Sequence, residues 1–273
     1  MRGHRAARVR RIQSRSLACS PVDLLALILL AAVGMLIGAV GIGGFLVVPV
    51  LVFVQGRPLR EAVVVAVVSF VGAGLVSLLV VMRRRADVHA DLRPFLAATI
   101  PGALAGALLL RVVDVRVIAF LITAAVGAAG VGQLLGWPVG KAWRGRVDGA
   151  GRGRPRRMGS TIEGALTGLA STLTGTSGPL VAMPLLALSG VPIRERIRAG
   201  QVAQLPIALT AALVLLGAGS IGWSVAATSA LALAAGVLAG MRVTPHVAPN
   251  VLARTAALLM LATAAAMLAS ALR

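Results

Sequence analysis

An apolar run too long to be one membrane helix constrains this chain most. Residues 22–54 are almost wholly apolar. As a straight helix they would extend roughly 50 Å, against a hydrocarbon core of about 30 Å. The run has to break. Gly41, Gly43 and Gly44 are where a break costs least, because glycine accepts positive φ and lets backbones approach. The reading is a spanning helix over 22–39, an unwound turn, and a short helix over 45–54.

The stretch recurs. At one constant offset, Gly34, Gly41, Gly44, Gly56 and Pro58 fall on Gly168, Gly175, Gly178, Gly190 and Pro192. Arg60-Glu61 falls on Arg194-Glu195, and Gly102 and Gly106 fall on Gly236 and Gly240. Gap-free register over this distance predicts two copies of one unit. The second copy reads as a helix over 161–173, a break over 174–178 and a short helix over 179–188, with Pro179 in a first turn where its missing N–H costs nothing. Further spans are expected over 62–82, 94–110 and 117–135, and over 199–216, 223–241 and 251–272, each about one bilayer thick. The expected fold is an all-α polytopic membrane protein. It has about eight transmembrane helices in two homologous four-helix repeats, each with a broken glycine-rich first helix. The divisions are a basic tail (1–20), a first repeat (21–136), a basic linker (137–159) and a second repeat (160–273).

Composition agrees with a membrane setting. Of 273 residues 58% are apolar and only 13% charged, about half the charge of a soluble chain. The net charge of +19 raises nucleic acid as a partner. Placement excludes it. The arginines sit in the tail and between apolar runs, where they orient membrane proteins, and with no Tyr and 3% aromatics there is no platform for stacking bases. The tail is not read as a signal peptide, since the apolar run behind it is too long for an h-region. Cys19 stands alone and His4, His89 and His246 are scattered, so no disulfide, metal centre or cofactor is expected. With the N-terminus inside, eighteen Lys and Arg fall inside and eight outside. That count places both termini, the tail and the linker in the cytoplasm. It also favours an even number of spans per half, hence parallel repeats, and disfavours five spans, which would separate tail from linker.

A break in a membrane helix exposes backbone groups, tolerated only where protein or a wet cavity satisfies them. The short helices at 45 and 179 would present free N–H groups and a positive dipole end. Two such ends near the midplane make a site for a small anion. The candidate residues are Gly41, Gly43 and Gly44 from the first break, and Thr174, Gly175, Thr176, Ser177 and Gly178 from the second. Gln201 and Gln204 join them, on one face of the following helix, and Ser69 and Ser77 are lesser candidates in the first half. The competing reading is that the glycines serve close packing and the hydroxyls bond their own backbone. Glu61 and Glu195 read as helix-start residues paired to a neighbouring Arg, rather than as proton-coupling carboxylates. Gly175-Thr176-Ser177-Gly178 spells G-x-S-G, as intramembrane serine proteases do. No histidine falls in a span to serve as base, so no enzyme is expected. No G-x-x-x-x-G-K-[ST] is present, so ATP is not the expected drive.

Two halves that each open on a glycine-rich break and then a G-x-P-x-R-E turn resemble the TauE/SafE sulfite exporter family. The residues are Gly34, Gly41, Gly43, Gly44, Pro49, Leu51 and Gly56, echoed by Gly168, Gly175, Gly178, Pro184 and Gly190. The second half departs in having Thr-Ser within the glycine cluster and a proline displaced by one. The resemblance implies a multi-pass permease of the inner cell membrane. It would export sulfite or a related organosulfonate by alternating access, with a small anion and the lipid bilayer as partners. It leaves substrate, coupling ion and oligomeric state open. The alternatives are a non-transporting membrane scaffold and a permease for an unrelated small solute.

Overall fold

The computed structural model describes residues 21–41, 43–83, 92–134, 161–176, 178–216, 223–243 and 249–271. The expectations for the tail, the linker, Cys19, His4, His89, His246 and Ser177 lie outside these residues. The described chain is all-helical. Its elements are α1 (Pro21–Val40), the short α2 (Gly44–Val54), α3 (Leu59–Arg83), α4 (Arg93–Val112), α5 (Val115–Leu134), α6 (Thr161–Thr174), α7 (Gly178–Leu188), α8 (Ile193–Leu216), α9 (Trp223–Val243) and α10 (Pro249–Ala271). Six of them are long and apolar enough to cross a membrane: α1, α3, α4, α5, α8 and α9. Shorter apolar helices run over Gly44–Val54, Gly178–Ala187 and Ala257–Ala269.

The glycines do two distinct jobs. Gly41, Gly56, Gly175 and Gly190 have positive φ, at 77°, 65°, 59° and 76°. They form two pairs, Gly41 with Gly175 and Gly56 with Gly190, each related by the offset of the repeat. After α6 the Gly175 N–H donates to Thr172 O (3.3 Å) and the Thr176 N–H to Ser171 O (3.1 Å), the double bond of a Schellman cap. After α1 the Gly41 N–H donates to Ile37 O at 2.8 Å, the single-bond version. The other glycines let helices touch. A Cβ at Gly34 would stand 2.4 Å from Leu233 O, and one at Gly168 would stand 2.2 Å from Thr99 O. Likewise Gly236 abuts Ala31 O and Gly102 abuts Ala165 O, at 2.0 and 2.1 Å. In each pair of contacts the glycines, and likewise their partners, are related by the repeat's own offset. Lipid gives helices no hydrophobic reason to associate, so small residues that bring backbones into van der Waals contact carry the packing.

The direction of each helix follows from these contacts. Arg60, at the start of α3, donates to Arg111 O (2.8 Å) and Val113 O at the end of α4. Arg111 donates in turn to Val214 O, near the end of α8. The start of α3 and the end of α8 therefore share one end of the bundle, and Gly74 meets Leu205 halfway along. Helices α3 and α8 are antiparallel. So are α5 and α10, where Gly127 meets Ala264 and Gly130 meets Met260. Ser69 to Ala226 and Gly72 to Ala230 set α9 parallel to α3, and Gly34 to Leu233 with Gly38 to Val237 set α1 parallel to α9. Phe95 to Gly164 and Thr99 to Gly168 set α6 parallel to α4.

It follows that α1 and α6 start at opposite ends of the bundle. The expected parallel arrangement, with tail and linker joining at one side, is corrected. The physical reason is the path after each break. Gly43 lies back against Ile37 and Val33 of α1, where a Cβ would meet the Ile37 N at 3.0 Å and Val33 O at 3.1 Å. In the second half Gly178 lies beside Gln204 and Pro179 against Gly200, so α7 runs back to where α8 begins. The short helices turn back instead of continuing the direction of the helix before them. The observed helices also extend beyond the expected bounds at most ends, most of all at the start of α8, which begins at Ile193.

Candidate functional site

The second break opens onto a small cavity at the middle of the bundle, with room for about one water. Val67 and Phe70 of α3, Ser171 and Thr172 of α6, Thr176, Gly178 of α7, and Gln204, Ile207 and Ala208 of α8 line it. Phe70 is the twelfth of 25 residues in α3, and Gln204 the twelfth of 24 in α8. The floor is set by the Schellman cap, which turns the chain at Gly175 and leaves Ser171 and Thr172 in the last turn of α6.

The polar groups here are buried and unspent. Gln204 is 1% exposed, Ser171 1%, Thr172 0% and Thr176 3%. Among the described residues, Ser171 Oγ, Thr172 Oγ1 and both amide atoms of Gln204 have no hydrogen-bond partner. A buried polar group left so costs about 1–3 kcal/mol, and native structures keep few of them. Thr174 Oγ1 donates its one proton to Ala170 O at 2.7 Å. In its 2.8 Å contact with Thr176 Oγ1 it is therefore the acceptor. Thr176 has spent its proton and offers the cavity only lone pairs. Pro179 has no N–H, so the donors at the start of α7 are those of its other first-turn residues.

Of the candidates from the sequence, Thr176, Gly178 and Gln204 line the cavity, and Thr174 and Gly175 stand one step behind them. Gln201 is half-buried on α8 and does not line it. Gly41, Gly43 and Gly44 are buried but do not line it either: Gly41 lies against Met183 and Ile197, and Gly43 against α1. The inward ends of the two breaks are therefore not joined in this cavity. Ser69 Oγ donates to Val65 O at 2.7 Å, as the competing reading had it, and Ser77 is buried without a partner among the described residues. Glu61 sits in the first turn of α3 and Glu195 in that of α8. The ion pairs described join Glu61 to Arg57 and, at 3.2 Å, Glu195 to Arg198. Ser171, Thr172 and Phe70 were missed. The first two had a signal: a Thr167-x-x-x-Ser171-Thr172 stripe leading into the break. Phe70 had another, the offset that pairs it with Gln204.

No curated protein and no solved structure matches the chain. Residues 24–267 match the family described as Sulfite exporter TauE/SafE. That span reaches into all ten helices described and covers both breaks. The chain belongs to the TauE/SafE sulfite exporter family, a family of membrane transporters.

Proposed function

We propose that the protein is an inner-membrane permease that exports a small sulfur-containing oxyanion, sulfite or an organosulfonate, by alternating access. The observation that carries this is the set of unpartnered, buried Ser171, Thr172 and Gln204 side chains beside the start of α7. Hydroxyl and amide donors together with helix N–H groups are the chemistry that holds an oxyanion without a cation. Thr174 and Gly175 shape the same break, and Gly41, Gly43 and Gly44 shape its counterpart.

Contacts repeated at the offset that carries Gly34 onto Gly168 support two repeats of five helices, α1–α5 and α6–α10, related by an axis in the membrane plane, in place of two parallel four-helix repeats. Such inverted repeats rock about a central site. Both termini then face one side and the linker the other. Among the described residues, Arg83, Arg93, Arg196, Arg198, Arg242 and Arg254 lie toward the end where α6 begins, and Arg57, Arg60, Arg111 and Arg116 toward the other. The larger positive charge at the end where α6 begins supports a cytoplasmic position for that end.

The test is a thermal-stability screen of the purified protein against sulfite, methanesulfonate, sulfate, chloride and acetate. A rise in Tm with a sulfur oxyanion, absent in Gln204→Leu, is expected. No rise with any anion would favour a scaffold.

A further inference from the structure

The cavity holds no charge of its own. None of its nine lining residues is ionisable. The elements around it are charged only toward their ends: Arg60, Glu61 and Arg83 on α3, Glu163 on α6, none on α7, and Arg194, Glu195, Arg196 and Arg198 on α8. The nearest along α8 is Arg198, six residues or about 9 Å before Gln204, and it is paired with Glu195 at 3.2 Å. Arg196, eight residues before Gln204, is 3% exposed and does not line the cavity. At the cavity wall itself stand the dipole end of α7, worth about half a charge, and neutral donors.

Such a site treats ions of different charge very differently. The cost of desolvating an ion grows as the square of its charge, so a dianion costs roughly four times what a monoanion of its size does. Half a positive charge and a few neutral donors offset the smaller cost and not the larger. The hydrogen-bond inventory points the same way. Gln204 Oε1 has no partner among the described residues, and Thr176 Oγ1 has only lone pairs to give. Both are acceptors and need a donor on the ligand. A fully ionised oxyanion has none, whereas its singly protonated form has one O–H. Opposite the polar wall stand Val67, Phe70, Ile207 and Ala208, which suit an uncharged or apolar end.

We propose that this cavity selects the singly charged form of its oxyanion and rejects the dianion. The proton that accompanies transport is then carried on the substrate, bound to the ligand oxygen that faces Gln204 Oε1. It leaves that oxygen to water on the far side, with no titrating side chain in between. The inference rests on the oxyanion reading above and adds the charge state it takes.

Ligand binding to the purified protein, followed by titration calorimetry on both sides of sulfite's second ionisation, tests it. Methanesulfonate, a monoanion throughout that carries no O–H, isolates the effect of charge: its Kd should not move with pH, and it should bind more weakly than acid-side sulfite by the missing hydrogen bond. Sulfite should bind well on the acid side, with its apparent Kd rising tenfold per pH unit on the alkaline side. Sulfate, a dianion throughout, should bind at least a hundredfold more weakly than methanesulfonate. If sulfate or alkaline sulfite binds as tightly as methanesulfonate, the charge selection is wrong while the oxyanion site stands. If none of the three binds at any pH, the oxyanion reading falls and the charge selection with it.

Discussion

Phe70 and Gln204 are related by the offset that carries Gly34 onto Gly168, and they line the same central cavity. Both are at most 2% exposed. One of the two walls is apolar and the other polar. The pair predicts opposite effects on stability and function. Gln204→Leu removes a buried amide that has no partner among the described residues. It should raise stability by about 1–2 kcal/mol while reducing anion binding at least tenfold. Phe70→Leu should leave binding within a few-fold and lower stability by about 1 kcal/mol. Chemical unfolding in detergent and ligand binding read the two effects separately.

Glycines with different jobs should fail differently. At Gly102 a Cβ meets Ala165 O at 2.1 Å, whereas nothing lies within 4 Å of one at Gly190. Gly102→Val should cost about 3 kcal/mol or more by forcing α4 and α6 apart. Gly190→Ala should cost about 1 kcal/mol, the strain of a left-handed residue alone. Equal losses of Tm would contradict the packing role.

Arg111 ties α4 to α8 through Val214 O, at the end where Arg60 holds Arg111 O and Val113 O. This bond crosses between the halves, so opening that end must break it. In a Cys19→Ser background, Ala208→Cys reports access to the cavity. Arg111→Ala should speed its labelling from that end about tenfold, the effect of losing roughly 1.5 kcal/mol of charge-assisted bonding. An unchanged rate would show that the contact does not gate access.

The chain's breaks and its helices were legible because they are written as spacing: a glycine where the backbone turns left-handed or touches a neighbour. The direction taken after each break was not. Gly41 signals that α1 ends but is silent on whether the next residues proceed or return, and that depends on Gly43 packing against Val33. The charge count then misled, because tail and linker are both basic and the count treats that likeness as one shared side. At the site, Gln204 was legible as a lone amide in an apolar helix. Ser171 and Thr172 were not, since a hydroxyl in a helix commonly bonds the preceding turn, as Thr167 does with Glu163 O at 2.7 Å.

The inverted arrangement predicts that reporter domains fused after the linker and at the C-terminus are active on opposite sides of the membrane. Activity of both on the same side would restore the parallel arrangement.

The central claim is that a sulfur oxyanion crosses the membrane through the cavity between Phe70 and Gln204. Flux of labelled sulfite in proteoliposomes, with wild-type protein, Phe70→Leu and Gln204→Leu at equal reconstitution, tests it most directly. Wild type and Phe70→Leu should exceed empty vesicles at least tenfold, and Gln204→Leu should fall to the empty-vesicle rate. Flux through Gln204→Leu equal to wild type, or wild-type flux no greater than that of empty vesicles, would contradict it.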